Sequence, residues 1–117
     1  PLSNPVKEWI QSCTSLRELL PSDLLVLPAH QDLFYGIHDR LTALITHHEN
    51  ALSNLYDMCE TPRRAIDVFP AIFKSEITEW TFFMATGESI AHINCAIDRH
   101  MLVAEEDDDG VFWYRQA

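Results

Sequence analysis

Residues Leu24-Leu25-Val26-Leu27 form an unbroken apolar run held between Pro21 and Pro28, and this short stretch constrains the fold more than any other. Nothing in it alternates with polar residues, so it reads as a short strand buried on both faces. Pro28 cannot donate to a ladder and ends the strand, which leaves His30 on the loop that follows. A histidine just beyond the end of a buried strand can reach a metal or a substrate while the scaffold holds its backbone. Upstream, Asn4-Pro5 supplies a cap and a first-turn proline for a helix carrying Val6, Trp9, Ile10, Cys13, Leu16 and Leu20 on one stripe. Pro21 stops that helix.

Downstream of Gly36 the pattern is helical. Ile37, Leu41, Leu44, His48, Leu52, Leu55 and Cys59 recur at three- and four-residue steps over about six turns. His47 and His48 invite a metal reading, but adjacent helical residues point about 100° apart, and ligand pairs on helices sit at i and i+4. A core histidine bonded to a neighbour is the reading for His48, with a ligand or pH switch as the alternative. Thr61-Pro62 signals another helix start, with Pro70 ending or kinking it. A second long stripe then runs through Ile77, Trp80, Phe83, Met84, Gly87, Ile90, Ala91, Ile97 and Met101. Gly87 in its middle suggests that another helix crosses closely there. His92 and His100 on this helix lie too far apart to share a metal, and the helix dipole accounts for His100. Leu102-Val103-Ala104 and Val111-Phe112-Trp113-Tyr114 read as a hairpin turned at Asp109-Gly110, a type I′ pair.

Composition excludes several functions. Eight basic residues against eighteen acidic give a formal net charge of −10, a field that repels phosphate backbones. No apolar run approaches the roughly 20 residues that span a bilayer. Cys13, Cys59 and Cys95 are odd in number, far apart and on apolar helix positions, which reads as buried reduced thiols in a cytoplasmic protein. The opening Pro1-Leu2-Ser3-Asn4-Pro5 has neither an initiator methionine nor a basic stretch and reads as a cut inside a longer chain. The acidic run Glu105 to Asp109 lacks the spacing of a calcium loop and reads as a solvated hairpin tip.

Asp23-Leu24-Leu25-Val26-Leu27-Pro28-Ala29-His30, with Gly36 and the long helix bearing His47-His48, resembles the C-terminal end of a metallo-β-lactamase-fold hydrolase. Thr61 to Gln116 resembles the winged-helix-like domain that one branch of that superfamily appends. The resemblance implies a mainly α chain. Residues 1–36 would be a helix-strand remnant of the αββα sandwich, and residues 37–117 a winged-helix-like domain ending in a β-hairpin. It makes His30, after the proline, the last zinc ligand at the second metal position. The usual glycines flanking that histidine are here Ala29 and Gln31. The family's HxHxDH motif, which supplies most of the zinc site, does not occur in this sequence. A lone His30 cannot hold zinc, which takes three or four protein donors.

Three functions follow. The first is an inactive C-terminal fragment whose parent holds two zinc ions, none retained here, and directs metal-bound hydroxide at an ester, thioester, lactam or phosphodiester bond. Its helical part would pack on the N-terminal catalytic sandwich and wall the cleft, or build a homodimer interface through Trp80, Phe83 or Trp113. The second is a non-catalytic protein-interaction module anchored by Trp80, Phe82, Phe83, Phe112, Trp113 and Tyr114. The third, a winged-helix DNA reader, is opposed by Glu76, Glu79, Glu88 and Asp98 on the would-be recognition helix and by the acidic wing tip.

Overall fold

A computed structural model describes residues 3–117. It is mainly helical: α1 (Pro5–Leu19), α2 (Ile37–Met58), a 3₁₀ turn (Ala65–Val68), α3 (Phe69–Ile72) and α4 (Phe82–Asp98) precede an antiparallel hairpin of β1 (Leu102–Glu106) and β2 (Phe112–Gln116). Asn4 caps α1 as its sequence implies, accepting from the Lys7 amide at 3.3 Å. α2 runs back along α1, joined at one end by His38 Nε2, which donates to the Leu20 carbonyl at 2.6 Å, and by Arg17, which donates to Thr42 Oγ1.

The core is drawn from Val6 and from residues 51 to 102. Leu52, Leu55, Cys59, Val68, Ile93, Cys95, Ala96 and Leu102 are its most completely enclosed members. The α2 stripe therefore does what its periodicity predicts. The C-terminal carbonyls of α2, which a helix leaves without intrahelical partners, are met from the far end of the chain. Gln116 donates its backbone amide to Cys59 O at 3.0 Å and its side-chain amide to Tyr56 O at 2.9 Å, and Arg63 Nε reaches Met58 O at 3.1 Å.

Several expectations are corrected. The run at 24–27 is not a buried strand: a single bridge joins Val26 to Phe34, and Leu25 and Leu27 are exposed, Leu27 at 71%. The described residues hold no further strand beside it, so its apolar faces stay uncovered. The helix signalled by Thr61-Pro62 begins later, at Ala65, because Arg63 exchanges backbone hydrogen bonds with Tyr114 in an extended pairing. α4 begins at Phe82, leaving Ile77 and Trp80 in the loop before it.

The buried face of α4 matches the apolar stripe only in part, through Ala91 and Ile97, with Met101 beyond the helix also packed on the core. Ala85, Ser89, His92, Ile93, Cys95 and Ala96 point inward, while Trp80 (94% exposed) in the loop and Phe83 (88%) and Met84 (72%) on the helix face outward. No helix crosses at Gly87, since a Cβ built there meets nothing within 4 Å.

The hairpin turn is wider than a two-residue I′ turn. The Asp107 amide donates to Val111 O, enclosing a three-residue loop whose last member, Gly110, takes the left-handed conformation at φ +78°. The Asp107 carboxylate accepts from the amides of Asp109 and Val111 and from Trp113 Nε1, and these bonds, the indole's first, hold its pKa below the ordinary carboxylate value. This acid organises the tip instead of only solvating it.

α4 closes with a Schellman motif, in which Met101 N donates to Ala96 O and His100 N to Ile97 O. His100 occupies the left-handed position at φ +59° where glycine is usual. Gly87→Ala and His100→Gly are therefore each expected to raise stability by about 0.5–1 kcal/mol, by adding helix propensity and by relieving a left-handed side chain. Urea midpoints of the two single variants against the parent check this.

Candidate functional site

The chemistry-bearing residues that the fold brings together are His48 on α2 and His92 on α4, 44 positions apart in sequence. His48 belongs to the inward stripe of α2, and His92 lies on the small-residue face of α4, 1% exposed. Their rings stack at 5.3 Å between centroids, with His48 Nδ1 3.1 Å from His92 Nε2. His92 Nδ1 lies 2.8 Å from the Glu88 carbonyl. A carbonyl can only accept, so His92 carries its proton on Nδ1 and, when neutral, offers Nε2 as an acceptor. His48 then donates from Nδ1, and its own Nε2 is left as a lone pair with no partner among the described residues.

Both rings of the pair line a cavity of about 570 Å³. Ile72, Phe73, Ile77, Met84 and Ala85 supply its apolar lining, and His47, Lys74, Glu76 and Glu88 its polar rim. One wall is fixed by edge-to-face contacts of Phe69 with Phe73 (6.4 Å) and with Phe82 (5.8 Å). Burial is the main cause that pushes the His48 pKa down, and the neighbouring His92 and His47 add to it. The carboxylates of Glu88 and Glu49 pull the other way. Glu49 is itself held low by a forked bond to Arg99, with oxygens at 2.7 and 2.8 Å. Beneath the site, Ser89 Oγ donates to Ala65 O at 2.6 Å and ties α4 to the 3₁₀ turn.

The expectation of a histidine bonded to a neighbour at His48 is met, with His92 as its partner, but His48 is half-buried and only His92 lies in the interior. The sequence signalled only half of this pair: His48 stood on the α2 stripe, whereas His92 stood off the apolar stripe read for the second helix. His30 lies elsewhere, exposed on the bend after Pro28, next to Gln31 with φ +74°. Among the described residues no group of three or more His, Cys, Asp or Glu side chains is placed to hold a metal. Zinc does not fit the residues of this chain alone, at His30, at the histidine pair or at the acidic tip. Cys13, Cys59 and Cys95 are unpaired and buried, and burial raises all three thiol pKa values, so they are inert neutral groups. No helix of the described residues is long and apolar enough to cross a membrane.

With this geometry in view, the class is clear: a mainly helical domain with a terminal hairpin, of the kind appended to metallo-β-lactamase folds. The sequence pattern described as "Metallo-beta-lactamase-like, C-terminal domain" matches residues 52–117, and the chain belongs to that family. Among solved structures it is similar to a beta-lactamase domain protein from Burkholderia ambifaria, with 32% identity and a TM-score of 0.90 over 98% of this chain. A metallo-beta-lactamase family protein from Thermus thermophilus shares the fold, at 19% identity and a TM-score of 0.79 over 99% of this chain. The chain spans 34% and 35% of those two chains, about a third of their length. No curated protein matches it.

The histidine pair implies a definite pH response. The unfolded chain titrates His48 near the ordinary 6.5, and the folded chain titrates it lower. The His48 contribution to stability is therefore complete above pH 6.5 and is lost as pH falls from there toward the folded value. Unfolding midpoints followed from neutral to mildly acidic pH should show this loss, and His48→Phe should flatten it.

Proposed function

We propose that this chain is the C-terminal part of a zinc-dependent metallo-β-lactamase-fold hydrolase and is inactive alone. On this reading residues 1–36 are the helix-strand remnant of the αββα sandwich. Residues 37–117 form a winged-helix-like domain, with β1 and β2 as the wing. The observation that carries it is the uncovered apolar surface. Leu19, Leu25 and Leu27 in one part of the chain, and Trp80, Phe83 and Met84 in another, face solvent while Ser89 and His92 are buried. Apolar area of this kind needs a partner. The radius of gyration supports the same view: 16.4 Å against about 13 Å for a compact domain of this length.

The partner we assign is the N-terminal catalytic part of the same protein. It covers the α1 surface and pairs with the Val26 segment, so that His30 joins the second metal position of a two-zinc site. Trp80 and Phe83 then wall the substrate cleft or meet a second copy of the protein. Trp113 is less available for that role, since Asp107 and the Arg64 guanidinium, 5.6 Å from its ring, already engage it. The substrate class is a small ester, thioester or lactam in a cytoplasmic enzyme, and the acidic surface argues against DNA.

In the full-length protein His30→Ala is expected to remove bound zinc and to lower hydrolysis of such substrates by at least about tenfold, the lower edge of what even outer-shell partners of a metal cost. Elemental analysis and a thioester assay check it. Unchanged zinc content and turnover would refute the assignment.

A further inference from the structure

The cavity beside the histidine pair is built from this chain's own residues and needs nothing from the catalytic half. His48 and His92 are both part of its lining. The Glu88 carbonyl orients His92, His92 orients His48, and the relay leaves Nε2 of His48 as an acceptor with no partner among the described residues. No buried side-chain nitrogen or oxygen among the described residues lacks a hydrogen-bond partner, so this atom is one that solvent or a ligand can reach. The volume falls in the range of small-molecule sites, roughly 300–1,000 Å³. The charges at the mouth select further. Glu76 and Glu88 outnumber Lys74, and the whole chain carries −10, so an anion is disfavoured and a cation attracted. An imidazole acceptor, two carboxylates and aromatic and aliphatic side chains in one lining together describe a ligand with a donor-rich positive head and an apolar body.

We propose that this cavity binds a small apolar amine. Its ammonium group donates to His48 Nε2 and to the Glu88 and Glu76 carboxylates, and its hydrocarbon part lies against Ile72, Phe73 and Ile77. His92 is a positioning residue that acts through His48. A neutral alcohol of the same shape keeps the bond to His48 and loses the attraction of the carboxylates. A carboxylate of the same shape faces them directly.

The test uses the full-length protein and fluorine NMR of three probes: para-fluorobenzylamine, para-fluorobenzyl alcohol and para-fluorobenzoate. Saturable broadening of the amine, weaker binding of the alcohol and none of the benzoate is the expected order. His48→Phe removes the acceptor and should weaken the amine at least tenfold. Ile77→Trp, in the loop before α4 and outside the core cluster, adds bulk to the cavity lining and should block all three probes. Circular dichroism identifies variants that remain folded. The proposal is overturned if the amine shows no saturable binding, if benzoate binds as well as the amine, or if amine binding survives both substitutions.

Discussion

The packing of α2 against α4 is the constraint on which the rest of the structure depends. α4 meets α2 through His92, on a buried face that otherwise carries mostly small side chains, Ala85, Ser89 and Ala96 among them. Small residues on a helix face let neighbouring backbones approach. Once they do, His48 and His92 meet, and His92 survives in the interior only because its ring finds partners. The same choice turns Phe83 and Met84 outward. One packing decision therefore produces the buried relay, the cavity above it and the apolar surface that calls for a neighbour.

Where the sequence was legible, local chemistry and tertiary packing agreed. Asn4-Pro5 caps α1 as such a pair should, and the stripe from Leu41 to Cys59 reports the buried side of α2 because that helix packs along its length. The hairpin strands appeared where alternating and aromatic residues put them. α4 defeated the same logic because its inward face carries small and polar groups, while its largest apolar residues serve a surface that this chain does not cover. The run at 24–27 failed for a related reason: its composition describes a sheet interior, and no sheet is present among the described residues to receive it. The turn at Asp107 and the left-handed His100 were hidden by residue identity, since an acid reads as solvated and a histidine does not announce a Schellman position.

The candidate site illustrates a limit of spacing rules. His47-His48 drew attention because the residues are adjacent, yet the partner that matters is His92, found only through the crossing of two helices. His30, singled out by its place after a strand and a proline, lies apart from that pair, on the segment before the region that the family pattern covers. The chain thus carries two histidine features of different kinds: one is a single exposed residue on a bend, and the other is a bonded pair complete within the fold.

The way the hairpin is fastened has a consequence for self-association. β2 is occupied on both sides, by β1 along its length and by Arg63 at Tyr114, and its end is bound to the carboxyl terminus of α2. That leaves β1 as the free margin of the sheet, and its outer end carries Glu105 and Glu106 followed by three aspartates. An unpaired strand margin is a template for another chain unless charge guards it. The acidic run thus acts as a gatekeeper, keeping like hairpins from adding edge to edge at the place where the sheet is open.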